Sequence, residues 1–477
     1  MPYKTALMLK NGMIPANLHF ITPNPKIPFD ELKLRVPTSL EPWPETRGKF
    51  KIAGVNSFGF GGTNVHAVLQ EYEPFKHKAK PEIEATDIQI AGSTTGKAYL
   101  VPISAHSREA LEEIVRAYIQ YIGRDVEIGN ISLSAIGCSA SLHKGHHSNR
   151  LTVTARSKGE LTQMFESFLA GEKRTGISYG QAQKESGKTA FIFSGMGSQW
   201  WGMGRQLYQK EPVFRKVIED CDILFKRLTN EWSLIGELLA DEEASRINET
   251  RISQPCIFSV QAALYVLWHS WGIVPDAVIG HSVGEVAAYY AAGVLSLEDA
   301  VTVCFHRSRL QQLKAGQGGM LVVGIPIDKA DELVGKFTDK VSVAAVNSKD
   351  SLTLAGDMET LEEISTLLEK ENKFARFLKV EVPYHSPVMD SIVLELQECL
   401  SGITPHAGNK SVVSTVTGGI IDGRQINAAY WAQNVRKPVL FAAAFSQLLE
   451  TGFDKFIEIS AHPVLAASIK HIHMISV

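Results

Sequence analysis

A short run of small residues after an apolar segment is the strongest indication of chemistry in this sequence. Residues 277–285 read AVIGHSVGE, which places Ser282 inside a Gly-x-Ser-x-Gly pattern. This pattern is typical of a sharp strand-to-helix turn that exposes a nucleophilic serine. Gly280 and Gly284 permit a close backbone approach, and the N–H groups at the start of the helix can hold an oxyanion. The pattern predicts acyl transfer through Ser282, although a small-residue turn with an idle serine has the same form.

A base must accompany such a serine, because its hydroxyl is a weak nucleophile at neutral pH. His385, in the segment VPYHSPVMD at 382–390, is the candidate base. We interpret His281, which directly precedes the serine, as a structural part of the turn. We interpret His462, in the segment SAHP, as part of the wall of the site.

The elements expected around these residues are those of an α/β domain. From about residue 188 onward, apolar strands alternate with amphipathic helices, which is typical of a mainly parallel sheet. Residues 319–380 instead read strand, helix, strand, strand, helix, strand, the order of a ferredoxin-like unit. An insertion between nucleophile and base commonly leaves a cleft between two lobes, so we expect the active site at the lobe boundary.

The preceding residues show no comparable chemistry. Residues 98–180 read as a small α+β module, and residues 75–97 read as a connecting segment. A phosphate-binding loop at 59–64 is excluded, because the third glycine of G-x-G-x-x-G falls on Asn64. The histidine cluster at 143–147 lacks Cys, Asp or Glu at ligand spacing, so no metal site is expected.

Composition limits the classes of partner. The chain has 477 residues, 44% of them hydrophobic and 21% charged, which predicts a globular protein of about two to four domains. The formal net charge of −3 favours neither nucleic acid nor an anionic membrane as a partner. The 5 cysteines are scattered, which is typical of reduced thiols in a cytoplasmic protein. No apolar run is long enough for a membrane span.

Several segments together resemble the malonyl-CoA:acyl-carrier-protein transacylases in order and spacing. They are FSGMGSQW (193–200), SQP (253–255), GHSVGE (280–285), Arg307 with its spacing from the serine, Asn347-Ser348, and His385-Ser386. The chain resembles more closely the acyltransferase region of a type I fatty acid or polyketide synthase. The reason is that SFGFGGTNVH (57–66) is similar to the end of a ketosynthase.

This resemblance implies three regions. Residues 1–75 correspond to the C-terminal end of a ketosynthase, and residues 76–187 to a small α+β linker domain. Residues 188–477 correspond to an acyltransferase domain with an α/β-hydrolase-like core, a parallel sheet and a ferredoxin-like subdomain inserted at 318–381. The first region has no cysteine, so we expect no condensing activity. We expect a fragment or truncated product of a longer synthase, without the reductive and carrier domains that normally follow.

The resemblance also implies which residue acts as the base for the serine. It implies a dyad of Ser282 and His385, in which a backbone carbonyl orients the imidazole. No third carboxylate is assigned, and we interpret Asp390 as a solvated helix residue.

Further residues are carried over from the family to the binding of the acyl group. The N–H groups of Val283 and Gln199 are expected to hold the oxyanion. The resemblance implies that Gln254 and Asn347 line the cleft, and that His281 lies beside them.

Arg307 and Tyr384 carry the expectation about the substrate. By the resemblance, the Arg307 guanidinium grips a malonyl carboxylate with two hydrogen bonds. Methylmalonyl-selective relatives have Gln after the serine and Tyr-Ala-Ser before the histidine, whereas malonyl-selective ones have an aliphatic residue and His-Ala-Phe. This chain has Val283 and the segment VPY at 382–384, and matches neither pattern fully. The Tyr384 ring is expected to crowd an α-methyl branch, so malonyl-CoA is the expected donor.

The implied reaction moves malonyl from malonyl-CoA, through a serine ester, to the phosphopantetheine thiol of an acyl carrier protein. Expected partners are that carrier, the other synthase domains, and a second copy in a homodimer of the full-length parent. No cofactor or metal is expected on this chain, since phosphopantetheine belongs to the carrier. The sequence leaves open whether the product is a fatty acid or a polyketide, and whether acetyl groups are also loaded.

Two alternatives belong to other classes. An α/β-hydrolase-type esterase or thioesterase would have the order Ser, Asp, His and could end on His462. It would, however, have no use for Arg307, and no His-Gly-Gly-Gly oxyanion loop is present. A catalytically idle scaffold fragment would fold but take up no acyl group on Ser282.

Overall fold

The computed structural model describes residues 2–45, 50–59, 61–62, 64–72, 97–124, 131–182, 187–337 and 339–476. Most of the predicted connecting segment, and Phe60 and Thr63 of the ketosynthase-like motif, lie outside these residues. The chain divides into two compact units, Met1–Gly180 and Gln181–Val477. Over the described ranges, no helix is long and apolar enough to cross a membrane. In the same ranges, no group of three or more His, Cys, Asp or Glu side chains could hold a metal ion.

The first unit contains a hairpin and a small α+β module. Its elements are α1 (Pro2–Asn11), β1 (Met13–Ile14), β2 (Glu41–Pro42), β3 (Ile52–Phe58), β4 (Asn64–Gln70), β5 (Tyr99–Ala105), α2 (Arg108–Gly123), α3 (Leu133–Leu142), β6 (Asn149–Ala155), α4 (Lys158–Leu169) and β7 (Ile177–Gln181). Strands β3 and β4 pair antiparallel, and β5, β6 and β7 form a three-stranded sheet in that order. The helices α2, α3 and α4 each begin after a serine whose hydroxyl accepts a first-turn N–H, namely Ser107, Ser132 and Ser157.

The second unit carries the predicted chemistry. Its helices are α5 (Arg205–Lys210), α6 (Pro212–Leu228), α7 (Leu234–Leu239), α8 (Thr250–Ser270), α9 (Gly284–Ala291), α10 (Leu297–Gln312), α11 (Ile327–Gly335), α12 (Met358–Lys370), α13 (Asp390–Cys399), α14 (Ala428–Arg436), α15 (Phe441–Glu450) and α16 (Ala466–Ser476). Its strands are β8 (Lys188–Phe193), β9 (Ala277–Gly280), β10 (Gly319–Val323), β11 (Val341–Ser348), β12 (Ser351–Gly356), β13 (Ala375–Phe377), β14 (Ser411–Ser414), β15 (Gly419–Ile421) and β16 (Phe453–Ile459).

A five-stranded sheet forms the centre of this unit, with the order β15-β14-β9-β8-β16. Strands β14, β9, β8 and β16 run parallel, and β15 is an antiparallel edge. All four residues of β9 are buried, as expected for a parallel strand covered on both faces. Val278 belongs to one hydrophobic core, while Ala277 and Ile279 belong to a second core with Phe441. The predicted α/β fold with a parallel sheet is confirmed.

A four-stranded antiparallel sheet is inserted between β9 and β14. Its order is β11-β12-β10-β13, and α11 and α12 connect its strands. This is the arrangement of a ferredoxin-like unit, and it lies in the chain between Ser282 and His385, as predicted. Strand β13 covers only 3 residues. It is an edge strand of this sheet, and Phe374, directly before it, is 57% exposed.

Candidate active site

Ser282 occupies a tight turn between β9 and α9. Its backbone has φ 55°, a left-handed conformation that is strained for a residue with a side chain. A Cβ atom on Gly280 would lie 2.2 Å from the Glu285 nitrogen, and one on Gly284 would lie 2.1 Å from the Phe193 carbonyl oxygen. Both glycines are therefore required by close contacts. The turn has the geometry that exposes a nucleophile at the end of a parallel strand.

His385 contacts the serine. Its Nε2 lies 2.8 Å from Ser282 Oγ, and its Nδ1 lies 2.9 Å from the Lys437 carbonyl oxygen. A carbonyl oxygen only accepts, so Nδ1 carries the proton and Nε2 presents a lone pair to the serine O–H. The backbone carbonyl thus fixes the tautomer that a general base requires, with no carboxylate in that position.

Burial affects the charge of this histidine. His385 is 3% exposed, and burial, with a smaller contribution from the Arg307 charge, lowers its pKa to about 3. The imidazole is therefore neutral at physiological pH. It can accept the serine proton without first losing one of its own.

Arg307, on α10, reaches the nucleophile from the other side. Its Nη2 donates to Ser282 Oγ at 2.9 Å, although the side chain is only 1% exposed. Burial lowers the pKa of Arg307 to about 10, which still leaves the guanidinium charged at neutral pH. Arg307, singled out for its spacing from the serine, thus places a cation beside Ser282 Oγ.

The other nitrogens of this guanidinium are held by protein amides. Nη1 of Arg307 donates to Gln254 Oε1 at 2.6 Å and to Gln311 Oε1 at 3.0 Å. Gln254 also donates from Nε2 to Gln311 Oε1 at 2.8 Å. The predicted cleft residue Gln254 is therefore buried against Arg307. Nη2 is the nitrogen that faces the serine.

The predicted oxyanion donors lie on two adjacent turns. Val283 directly follows Ser282. Within the turn, the Gly284 N–H donates to the His281 carbonyl and the Glu285 N–H donates to the Ser282 carbonyl. Gln199 lies in the loop after β8, and its side-chain Oε1 accepts the Gly197 N–H at 2.8 Å. This loop packs on the serine turn, because a Cβ on Gly195 would lie 2.7 Å from the His281 carbonyl oxygen. The roles of the Val283 and Gln199 N–H groups remain predictions.

His281 and Asn347, both predicted near the substrate, contact each other. His281 Nε2 lies 2.8 Å from Asn347 Oδ1 on β11 of the inserted unit. The backbone N–H of His281 donates to the Phe193 carbonyl. This pair connects the serine turn to the inserted unit.

Tyr384, next to His385, is buried and has its hydroxyl held by a hydrogen bond. The residue is 4% exposed, and its hydroxyl lies 2.6 Å from Thr250 Oγ1 at the start of α8. Burial raises the pKa of this phenol to about 12, so it remains neutral. The ring therefore forms a rigid wall beside His385.

Two residues considered in the sequence lie apart from the dyad contacts. His462 lies in an exposed loop, whose Ala461 carbonyl accepts from the Trp200 indole at 3.3 Å. Asp390 begins α13 and pairs with Arg436 at 2.7 Å while 62% exposed. Neither residue orients the imidazole.

Other contacts of the site were not predicted. Gln311 follows Arg307 by one helical turn, so i, i+4 spacing could have indicated it. Asn434 accepts from Arg307 Nε at 3.1 Å, and Lys437 supplies the carbonyl for His385. These two lie far along the chain from the serine, and no local pattern indicates them.

Two family models match parts of this chain. Residues 190–473 match the family described as "Acyl transferase domain". Residues 23–146 match the family described as "Ketoacyl-synthetase C-terminal extension". A relative in Aspergillus niger, the hybrid PKS-NRPS synthetase pynA, is 34% identical over 97% of this chain. The chain spans 12% of the length of that protein.

Solved structures share the fold. The acyltransferase domain from module 8 of the salinomycin polyketide synthase aligns with a TM-score of 0.75 and 30% identity, covering 80% of this chain and 89% of that one. The acyl transferase domain of SpnD, in a complex with 2-(pent-4-yn-1-yl)malonyl, aligns with a TM-score of 0.69 and 26% identity. That alignment covers 80% of this chain and 88% of the SpnD chain.

Proposed function

Since the chain belongs to the acyl transferase domain family, we propose that it moves a malonyl group from malonyl-CoA, through an ester on Ser282, to the phosphopantetheine thiol of an acyl carrier protein. The observation that carries this proposal is the buried guanidinium of Arg307, 2.9 Å from the nucleophilic oxygen. A malonyl group esterified to that oxygen has its free carboxylate close to the Arg307 cation. A neutral acyl group leaves the buried charge without such a partner.

The proposed first half-reaction acylates the serine. Ser282 Oγ attacks the thioester carbon while its proton passes to Nε2 of His385. The N–H groups of Val283 and Gln199 hold the resulting oxyanion. Collapse of this intermediate breaks the carbon–sulfur bond, and the departing CoA thiolate takes the proton from His385.

The second half-reaction reverses these roles. The carrier thiol gives its proton to His385 and attacks the ester carbon. The carbon–oxygen bond breaks, the proton returns to Ser282 Oγ, and malonyl remains on the carrier sulfur. A histidine that is neutral before each attack serves both halves, which is the state that its burial favours.

Two observations on relatives support the substrate class and setting. The SpnD domain was solved in a complex with a malonyl derivative, and this supports a carboxylated substrate here. The relatives include hybrid synthetases and polyketide synthases. We therefore assign the transfer to polyketide assembly, with the carrier and the other synthase domains as partners.

Tyr384 supports malonyl over methylmalonyl. Because Thr250 holds its hydroxyl at 2.6 Å, the ring is not free to swing away from an α-methyl branch. A methyl group that does not fit such a wall costs about 1–3 kcal/mol, or roughly 10- to 200-fold in selectivity. We therefore expect malonyl-CoA to be preferred.

Competition between acyl-CoA donors tests this assignment. In mixtures of malonyl-CoA, methylmalonyl-CoA and acetyl-CoA, the native chain should load malonyl preferentially, measured by intact mass of the acylated protein. Arg307→Ala should cost malonyl loading about 2 kcal/mol, roughly 30-fold, through loss of a charged hydrogen bond. Acetyl loading should change much less, so the preference should move toward neutral acyl groups.

Arg309 offers a matched control for that variant. It lies two residues away on the same helix, is 39% exposed and pairs with Glu395. Arg309→Ala should retain the native preference. An unchanged malonyl preference in Arg307→Ala would exclude the arginine from substrate recognition, and a native preference for methylmalonyl would contradict the role of Tyr384.

The state of His385 gives a further prediction, for the dependence of loading on pH. With its pKa lowered to about 3, the base stays unprotonated across the range in which an ordinary histidine titrates. We expect kcat/KM for serine acylation to show no acid limb centred near the usual histidine pKa of about 6.5. Acid-quenched mass measurements between about pH 5 and 8 test this. A limb at the usual histidine pKa would contradict it.

The same shift affects stability. As the pH falls, His385 is protonated in the unfolded chain before it is protonated in the folded chain. The stability that depends on neutral His385 is therefore fully present above about pH 6.5. Its contribution is lost as the pH falls from there toward about 3. Acid loss of structure must therefore be measured separately, by circular dichroism at each pH.

A further inference from the structure

The charge of Arg307 is balanced in an indirect way. The bonds that its guanidinium makes in the described part of the chain go to neutral groups, namely Ser282, Gln254, Gln311 and Asn434. Burial of a cation normally requires a carboxylate nearby. The acid within range is Glu285, which is fully buried and whose charge favours the charged form of Arg307.

Asn434 lies between the acid and the cation. Its Oδ1 accepts from Arg307 Nε at 3.1 Å, and its Nδ2 donates to Glu285 Oε2 at 2.8 Å. Nδ2 also lies 3.3 Å from the Ser282 carbonyl oxygen. One amide therefore contacts the cation, the acid and the backbone of the nucleophile.

The acid itself is held firmly. Glu285 Oε1 accepts from the Thr415 N–H at 2.6 Å and from its hydroxyl at 2.8 Å. Glu285 Oε2 accepts from the Tyr430 hydroxyl at 2.7 Å. Tyr430 is fixed in turn by contacts with Ser414 and Tyr289, each at 2.6 Å. The contacts of Glu285 therefore fix the position of Asn434, and Asn434 in turn fixes the position of Arg307.

We propose that Asn434 is a positioning residue that keeps Arg307 available to a carboxylated acyl group, by holding Glu285 one amide away from the guanidinium. The inference rests on the malonyl transfer proposed above. A carboxylate in direct contact would neutralise the cation and compete with the carboxylate of the substrate. A neutral amide keeps the guanidinium in place and lets the acid balance its charge at longer range.

Asn434→Asp tests this with little change of shape. The variant keeps an acceptor for Arg307 Nε but puts a carboxylate in direct contact with the guanidinium. We expect the malonyl-to-acetyl loading ratio to fall by about tenfold or more, mainly through a higher KM for malonyl-CoA. A purely structural role would lower the loading of both donors together. Gln433→Glu makes the same chemical change on the exposed neighbouring residue and should keep the native ratio.

Asn434→Asp also creates a buried contact between two acids, at 285 and 434, which lowers stability. The double variant Glu285→Gln with Asn434→Asp removes that contact and lets the new amide at 285 donate to the new acid at 434. We expect its unfolding temperature to return toward the native value while the malonyl-to-acetyl ratio stays low. The double variant decides the question even where the single variant does not fold.

The outcomes separate the two proposals. A native ratio in the folded Asn434→Asp chain, or a ratio that recovers together with stability in the double variant, would overturn the role of Asn434 and leave malonyl transfer intact. A native chain that loads no malonyl on Ser282 would contradict the proposed function and this inference with it. Low ratios in both variants, beside native loading in Gln433→Glu, are the result that we expect.

Discussion

Ser282→Ala is expected to abolish covalent loading, so that no acyl adduct appears after exposure to malonyl-CoA. The substitution removes one buried hydroxyl at the turn and leaves the two glycine contacts that shape it. The fold should therefore be retained, as judged by thermal unfolding. Intact mass of the native chain and the variant, followed by peptide mapping, measures the result, with the native adduct on Ser282.

Other nucleophiles are disfavoured by their surroundings. Cys256 and Cys304 are fully buried, and burial raises the pKa of both thiols, so neither forms the reactive thiolate. Ser270, an exposed serine at the end of α8, gives a control variant, Ser270→Ala, that should load normally. Loading that survives in Ser282→Ala, or an adduct on a cysteine, would refute the serine mechanism.

His385→Ala is expected to lower the rate of loading by roughly 10³-fold or more, as removal of a dyad partner does. The variant loses the lone pair 2.8 Å from the serine oxygen. Arg307 still contacts that oxygen, so residual loading should be measurable. Single-turnover acylation, followed by acid quench and mass, gives the rate.

His462→Ala is the matched control for the base. That histidine is exposed, and in the described structure its own backbone carbonyl, not its ring, accepts from Ser460. Its loss should cost far less than the loss of His385. The opposite ranking would favour the esterase order of residues, in which the last histidine is the base.

The serine turn was predictable because its requirements are local. Two glycines, a serine and an apolar strand within nine residues specify the turn, and the structure requires both glycines for contacts with neighbouring backbone. The ferredoxin-like unit was predictable for a related reason, since its strands and helices each carry their own periodicity. Strand β7 gives no such signal, because four of its five residues are exposed and no alternation of buried and exposed positions is present.

The environment of the arginine was less accessible to sequence reasoning. Asn434 lies 127 residues from Arg307 in the chain, and contacts at such separation depend on how helices pack. Glu285 was visible within the serine motif, yet its partner groups Thr415 and Tyr430 come from distant segments. A single sequence indicates which residues could react, whereas the network that sets their charge appears only when the chain is folded.

The position of the inserted unit has a consequence for folding. Ser282 and His385 lie 103 residues apart in the chain, with the whole ferredoxin-like unit between them. The unit also holds the base directly, because the Ser342 hydroxyl on β11 donates to the His385 carbonyl at 2.9 Å. Closing so long a loop is entropically costly until the intervening chain is compact. We therefore expect Ser282 and His385 to meet only after the insert has folded. Substitutions in the insert's hydrophobic core should then lower acyl loading without changing a residue that contacts substrate.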